Sequence, residues 1–447
     1  MSTKPLLLSS TRNLEISSPF DGDLLLRKKL AATLTGFIGR LGDGAVIGIT
    51  ANWGEGKTWF GRNWAESLKS EHRVAFIDAF ENDYVEDPFL IIASELTQIV
   101  EGEGTGVALR KRATSVFKAM VPLGTKAIIN LAGRVLIGSQ SLSGDIEEAI
   151  SSATETAADQ SEKWLEERFK ELGAQRASLN GFKKALAEAV SKSEKPVVVF
   201  IDELDRCKPT FAVTLIERLK HLFDVPNLVF VLLMNREQLE HSIAGHYGPG
   251  TDGQAYLGKF VNLWFELPRP GQIKNEPDRR YEAFVESALS IYRKPGGTVQ
   301  TIDDFKTYCA LWASKWSMSL RDIERMCTLF VLAEMKGPPL LWYLIALKVK
   351  NPNRFTSIRR HDLAALALCV KDLNSLIKNP DDYEGLEWPE IHFASLAELH
   401  SVLIGKMKIE ETKMLRKYTF ELIGNHRDAS RAFQVLADNL DLPLDAF

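Results

Sequence analysis

The sequence predicts an α/β protein with a parallel sheet, followed by an all-helical C-terminal domain. Short apolar runs alternate with helical patterns, which is typical of βαβ units whose strands are buried on both faces. After the Pro-bounded segment 265–270, strand signals stop and helical periodicity continues almost to the C-terminus. The length of 447 residues also indicates more than one domain, at roughly 150 residues per domain.

Four apolar runs are predicted as strands: AVIGIT (45–50), RVAFIDAF (73–80), VVVFID (197–202) and NLVFVLLM (227–234). Helices are predicted from about residue 21 and over DPFLIIASELTQIVEG, TFAVTLIERLKHLFD and REQLEHSIAGHYG. We expect a flexible N-terminal arm over 1–20, an α/β core over 21–102 and 191–270, a helical insertion over 103–190 and a helical domain over 271–447.

The composition excludes several classes of protein. A net charge of −4 and a pI near 6.1 give no overall basic field, so nucleic-acid binding is unsupported, and the run 109–112 (LRKR) is interpreted as a solvated face. The four cysteines are too scattered for a disulfide scaffold or a zinc site and are expected to be reduced core thiols. The first residues are too short an apolar stretch for a secretory signal, so a cytoplasmic location is expected.

The apolar segment 119–138 raises the question of a membrane. Its Lys126 and Arg134 would each cost about 2.5–3.5 kcal/mol near the centre of a bilayer, which disfavours spanning. Lys126, Asn130 and Arg134 instead form one polar stripe along a helix. Two alternatives remain for this segment: a helix packed against protein, or a helix lying peripherally on the inner membrane surface.

A phosphate-binding loop is predicted after the first strand. Residues 51–58 (ANWGEGKT) match the pattern G-x-x-x-x-G-K-[ST] except that Ala51 replaces the first glycine. Gly54 and Gly56 let backbone amides surround phosphate oxygens, Lys57 supplies a positive charge, and Thr58 offers a hydroxyl to Mg²⁺ at a helix N-terminus. The candidate nucleotide-binding residues are Trp53, Gly54, Glu55, Gly56, Lys57, Thr58 and Trp59.

Two carboxylates end the third predicted strand, VVVFIDELDRC (197–207). Ligands bind at the carboxyl ends of parallel strands, so Asp202 is expected to hold Mg²⁺ with Thr58, and Glu203 to polarise an attacking water. The adjacent glutamate favours hydrolysis over phosphoryl transfer to a metabolite. The alternative is that both carboxylates merely cap the next helix.

Three further residues are candidates for sensing the γ-phosphate. Arg206 either contacts that phosphate, contacts a neighbouring subunit or pairs with Asp205. Asn235 ends the fourth strand and either reads the phosphate or caps the next helix. Arg321 lies on a later predicted helix, SMSLRDIERMCTLF, from which it either reaches back to the nucleotide or faces solvent.

Together these motifs resemble the KAP P-loop NTPases. The family motif W-G-x-G-K-[ST] corresponds to residues 53–58, and its Asp-Asp-Leu-Asp-Arg-Cys block corresponds to 202–207, with Glu203 in place of the second Asp. AYLGKFVNLWFELPRP and SLRDIERM resemble two further family segments, with Leu320 in place of a proline. The resemblance implies an ASCE-type P-loop NTPase fold with a helical insertion between Walker A and Walker B.

We therefore expect an ATP-hydrolysing regulatory switch that uses Mg²⁺. The resemblance implies signalling or defence against phage within a multi-protein system, with a protein partner and a homo-oligomer as candidate assemblies. A rival from another class is a non-hydrolysing adaptor, in which bound nucleotide is structural and the helical regions recruit an effector. A third, a DNA-remodelling motor, would need a basic channel.

Overall fold

The computed structural model describes residues 16–85, 87–100, 105–120, 176–269, 279–290, 292, 298–377, 390–424 and 426–441. The chain divides into two compact units, which meet in sequence between Leu267 and Pro268. The first unit, from Ile16 to Leu267, contains the sheet. The second, from Pro268 onward, is helical in its described parts.

The described strands of the first unit form a parallel sheet in the order β2-β3-β4-β1-β5. This architecture confirms the predicted α/β fold with a parallel sheet. The strands are β1 (Ala45–Thr50), β2 (Val74–Asp78), β3 (Val197–Asp202), β4 (Leu228–Met234) and β5 (Leu263–Glu266).

Two details of the sheet differ from the sequence prediction. The second strand ends at Asp78 rather than at residue 80, because the Asp78 carboxylate accepts the amides of Phe80 and Glu81 and turns the chain. The strand β5 was not predicted. It has four residues, and its pattern of exposed and half-buried positions lacks the apolar run that marks a central strand.

Alternate residues of the strands enter two hydrophobic layers, one on each face of the sheet. In β4, Phe230 and Leu232 pack on one face, while Val231 and Leu233 pack on the other. One layer is completed by α1 (Arg27–Ile38) and α2 (Lys57–Leu68). The opposite layer contains α3 (Phe89–Val100), α4 (Thr105–Met120), α5 (176–190), α6 (Pro209–Leu219), α7 (Arg236–Tyr247) and α8 (Gly253–Leu257).

The helix α2 approaches the sheet closely at Gly61. A Cβ at this position would lie 2.1 Å from Cδ1 of Leu233 in β4, so glycine permits the contact. The helix that begins at the candidate phosphate loop is thereby held against a central strand.

The insertion is described only at its two ends, as α4 and α5. The apolar segment 119–138 lies almost wholly outside the described residues. Within the ranges that are described, no helix combines the length and apolar character required to cross a bilayer.

A central helix of the second unit, Pro339–Lys350, has residues 340–347 all buried, and several other described helices pack against it. Two buried histidines link its helices: His400 bonds the Tyr343 hydroxyl at 2.8 Å, and His392 bonds the Tyr308 hydroxyl at 3.3 Å.

All four cysteines of the chain are buried free thiols, as predicted. The helices are α9 (Arg279–Ser290), α10 (Val299–Lys315), α11 (Leu320–Leu332), α12 (Pro339–Lys350), α13 (Pro352–Arg359), α14 (Leu363–Asn374), α15 (Glu390–Leu403), α16 (Met414–Ile423) and α17 (Ala429–Leu440).

Candidate functional site

The predicted phosphate loop connects β1 to α2 at the carboxyl edge of the sheet. Gly54 and Gly56 have φ values of 82° and 74°, a left-handed conformation that glycine adopts without Cβ strain. Helix α2 begins at Lys57, so its first amides lack partners within the helix and its positive dipole end lies at the loop. The loop therefore has the backbone features of an anion-binding site.

The Lys57 side chain folds back over its own loop. Its Nζ donates to the carbonyl oxygens of Ala51 at 2.9 Å and Asn52 at 3.3 Å. Burial lowers the pKa of Lys57, and the nearby carboxylates of Asp205 and Asp202 act in the opposite direction. Lys57 and Asp202 consequently belong to one electrostatic cluster.

Thr58, Asp202 and Glu203 come together at the ends of α2 and β3. The Thr58 hydroxyl lies 3.5 Å from Oε1 of Glu203. Asp202 is fully buried: its Oδ1 accepts the Glu203 amide at 2.9 Å, whereas Oδ2 has no hydrogen-bond partner among the described residues. Burial raises the pKa of Asp202 to about 7, while the nearby Thr58 hydroxyl and the Glu203 amide act to lower it.

The orphaned Asp202 oxygen is suited to a divalent cation. Mg²⁺ prefers oxygen ligands and retains several waters, so one carboxylate and one hydroxyl at a phosphate loop are an appropriate protein contribution. A cation would also favour the charged form of a carboxylate that burial otherwise disfavours. Asp202 and Thr58 thus fit the metal that the fold implies.

Glu203 is held in an unusual backbone conformation. Its φ of 57° is left-handed, which costs a residue with a Cβ about 1–3 kcal/mol. Its Oε1 forms an ion pair with Nη2 of Arg206 at 3.0 Å. Of the three partners that the sequence left open for Arg206, Asp205 is not the one it pairs with in the structure, because the short 3₁₀ turn 204–206 brings Arg206 beside Glu203.

Asp205 is bound by the phosphate loop itself. The indole nitrogen of Trp53 donates to its Oδ2 at 2.5 Å, across 152 positions of sequence. Its Oδ1 is buried without a hydrogen-bond partner in the described parts of the chain. The bond joins the loop after β1 to the turn after β3.

Asn235 occupies the same edge of the sheet, after β4. Its Oδ1 accepts a hydrogen bond from the Gln238 amide at 3.4 Å, so Asn235 caps α7. Capping was one of the two alternatives that the sequence offered for this residue. The next amide, of Arg236, donates to the Thr50 hydroxyl at 3.2 Å and ties the ends of β4 and β1 together.

Arg27 was missed by the sequence analysis. It begins α1, is only 2% exposed, and donates from Nη2 to the Glu55 carbonyl at 2.5 Å and from Nη1 to the Gly56 carbonyl at 3.1 Å. No local motif marks an arginine that lies 28 residues before its partner. The burial of Glu55, which is 4% exposed, was also not predicted for a residue of a phosphate loop.

Two candidates remain, one in each unit of the chain. Trp59 is 38% exposed and its ring meets Phe20 edge-to-face, with ring centroids 5.8 Å apart. Arg321 is the second residue of α11 and belongs to the other unit of the chain.

The chain is similar to a curated protein over a short segment and aligns with solved structures over most of its length. The chain is 31% identical over 91 residues to the Phage T7 exclusion protein of Escherichia coli (strain K12), a match that spans 20% of this chain and 12% of that protein. Among solved structures, a DNA replication initiation factor aligns with a TM-score of 0.30 and 11% identity, covering 93% of this chain and 92% of its own. The ORC2 protein of Aeropyrum pernix, in ADPNP-ADP complexes, aligns with a TM-score of 0.32 and 12% identity, covering 94% of this chain and 93% of its own.

The sequence model of one family spans the phosphate loop, the carboxylates after β3 and the start of the helical unit. It matches residues 27–336, more than half of the chain. With its parallel sheet, its phosphate loop and its clustered carboxylates, the chain belongs to the KAP family P-loop domain proteins.

Proposed function

We propose that the protein is an ATP-hydrolysing regulatory switch. One observation carries the proposal: Lys57 and Thr58 of the phosphate loop lie with Asp202 and Glu203 in one cluster at the carboxyl edge of the sheet. This is the arrangement that hydrolysis of a nucleoside triphosphate requires, with cations facing phosphates and a carboxylate facing water.

Each residue of the cluster has a proposed role. The loop amides and Lys57 bind the β- and γ-phosphates, where Lys57 exchanges its contacts with two loop carbonyls for phosphate oxygens. Thr58 and Asp202 hold Mg²⁺, which when bound neutralises charge on the transferred phosphoryl group. Glu203 accepts a proton from the attacking water.

Arg206 is proposed to respond to the γ-phosphate. In the structure it is paired with Glu203, and a bound γ-phosphate would offer the guanidinium a more highly charged partner. Exchange of partners would release the Glu203 carboxylate for water. Asn235 and Arg321 are the other proposed sensors.

The biological setting is proposed from similarity. The match to a phage exclusion protein covers a short part of both chains and supports a role in signalling or antiviral defence within a multi-protein system. The nucleotide-dependent state of the first unit would then be read by a protein partner.

The proposal is tested by nucleotide binding and phosphate release with two variants. Lys57→Ala is expected to lose nucleotide binding, because the phosphates lose their buried cation. Glu203→Gln is expected to bind ATP normally and to lose turnover by about 100-fold or more, since it removes a general base. Calorimetry measures the first effect and phosphate release measures the second.

Matched controls separate these effects from a general loss of charge. Lys69→Ala changes an exposed lysine just beyond the other end of α2, and Glu71→Gln changes an exposed glutamate; both should behave like the parent. Equal turnover of Glu203→Gln and the parent would remove the catalytic assignment.

The alternative is a non-hydrolysing adaptor in which nucleotide has a structural role. It is favoured by the Arg206–Glu203 ion pair, which occupies the proposed base. Purified protein that retains nucleotide and releases no phosphate with Mg²⁺, alone or with the products of neighbouring genes, would establish the adaptor.

A further inference from the structure

The arginine that begins α1 contacts the phosphate loop from outside the known motifs. Arg27 donates to two consecutive carbonyl oxygens of the loop, those of Glu55 and Gly56. The Gly56 carbonyl also accepts the Phe60 amide at 3.0 Å, as the first turn of α2 requires. The guanidinium therefore spans the junction between the loop and its helix.

The position of these carbonyls determines where the loop amides point. A trans peptide unit is planar, and its C=O and N–H point in opposite directions. The Glu55 carbonyl shares a peptide unit with the Gly56 amide, and the Gly56 carbonyl shares one with the Lys57 amide. Because Arg27 holds both carbonyls on one side, both amides are directed to the other side.

Those two amides belong to the segment that surrounds phosphate in a P-loop. Gly56 lies in the left-handed region, with φ 74° and ψ 36°. Because glycine has no Cβ, this residue imposes few steric restraints on the loop. A glycine-rich loop loses much conformational entropy when it is ordered. A fixed external contact reduces that loss at the moment of binding.

The burial of Arg27 is consistent with a dedicated contact. Its side chain is almost entirely enclosed, and burial lowers its pKa from 12.5 to about 10, while the carboxylates of Glu55 and Asp23 act to raise it. The guanidinium is thus charged at neutral pH. A buried charge is costly to enclose, and here the guanidinium donates to two carbonyls of the phosphate loop.

We propose that Arg27 is a positioning residue that orders the phosphate loop from α1, so that the Gly56 and Lys57 amides face a nucleoside triphosphate before it binds. The inference rests on the proposed nucleotide-binding function. Arg27 does not touch the phosphates, and its effect is on affinity rather than on the hydrolytic step.

The test compares Arg27→Met, which keeps the length of the side chain without its donors, with Arg27→Lys, which keeps the charge but not the planar fork. The control is Arg40→Met, since Arg40 is exposed and donates to the Gly36 carbonyl of α1. For each protein, the dissociation constants for ADP and ATP, kcat and KM are measured at a temperature well below its melting temperature.

We expect Arg27→Met to raise both dissociation constants and KM by about tenfold or more, with kcat at saturation within a few-fold of the parent, because uniform binding is lost. Arg27→Lys should recover part of the affinity, and Arg40→Met should match the parent. A merely structural role would lower the melting temperature and leave the affinity of the folded protein unchanged.

Each outcome is decisive. Parent-like affinity in folded Arg27→Met overturns the inference. If that variant does not fold, Arg27→Lys decides: reduced affinity at a parent-like melting temperature supports the inference, and parent-like affinity overturns it. Failure of the unmutated protein to bind nucleotide would instead refute the proposed function.

Discussion

At the scale of the residue, Asp205 has a role that its neighbours in sequence do not suggest. It precedes Arg206, yet its carboxylate is bound by Trp53 of the phosphate loop. The same turn places Arg206 on Glu203. Two side chains after β3 therefore make these contacts. Asp205 is bound by the phosphate loop, and Arg206 pairs with Glu203, the proposed catalytic base.

The contribution of the Trp53–Asp205 bond is measurable by substitution. Trp53→Phe keeps a ring but removes the donor from a buried carboxylate, so the free energy of unfolding of the nucleotide-free protein should fall by about 1–3 kcal/mol. Chemical denaturation measures this change. A double-mutant cycle with Asp205→Ala, which removes the acceptor, isolates the pair, and an equal cost of Trp53→Phe in both backgrounds would show that the bond is not its cause.

At the scale of the element, α12 and α15 are joined inside the helical unit by Tyr343 and His400. Burial lowers the pKa of His400 to about 3, and that of His392 likewise to about 3. Both imidazoles are neutral in the folded protein at pH 5, whereas in the unfolded chain they take up protons below about pH 6.5. Their contribution to stability is present above pH 6.5 and is lost as the pH falls toward 3.

The consequence is a steep acid sensitivity of the helical unit. Each histidine should lower the free energy of unfolding by up to about 1.4 kcal/mol per pH unit between pH 6 and pH 4. His400→Gln retains hydrogen-bonding groups but does not titrate. Its free energy of unfolding should therefore depend on pH with a shallower slope, which corresponds to about one proton fewer taken up on unfolding. Denaturant unfolding at several pH values measures the slope, and a slope equal to that of the parent would contradict the assignment.

At the scale of the whole molecule, the proposed sensor Arg321 and the phosphate loop belong to different units. A switch requires that the γ-phosphate change the free energy of both units. An effector that binds the folded state adds about 2.7 kcal/mol of stability at a concentration 100-fold above its dissociation constant. The difference between the stability added by a triphosphate and that added by a diphosphate therefore reports the coupling between the γ-phosphate and the helical unit.

Thermal unfolding with ADPNP and with ADP, each at the same multiple of its dissociation constant, tests this coupling. We expect ADPNP to raise the melting transition of the helical unit more than ADP does, and Arg321→Gln to abolish that difference. The control is Arg325→Gln, which removes an exposed arginine of the same helix that pairs with Asp322. An undiminished difference in Arg321→Gln would exclude this arginine as the sensor.

Much of the first unit followed from patterns that are local in the chain. β1, β3 and β4 were predicted within one residue because central parallel strands are continuous apolar runs. The strand β5 was not predicted, since its pairing with β1 depends on a neighbour more than 200 residues away. Register and edge position are properties of the assembled sheet.

The candidate site divides in the same way. Gly54, Gly56, Lys57, Thr58 and Asp202 were found by their spacing, because phosphate and metal chemistry restricts which residues follow a buried strand. Arg27 was not found, because a side chain that donates to backbone carbonyls leaves no constraint on the sequence of its partner.

By itself, the sequence determined the strands β1 to β4, the phosphate loop and the acidic end of β3, because backbone geometry and phosphate chemistry restrict residue types locally. The tertiary structure alone decided which partners these residues have: Asp205 with Trp53, Arg206 with Glu203, and Arg27 with the loop carbonyls. Such pairs form between segments that the parallel sheet brings to one edge, so they depend on three-dimensional proximity and not on spacing along the chain.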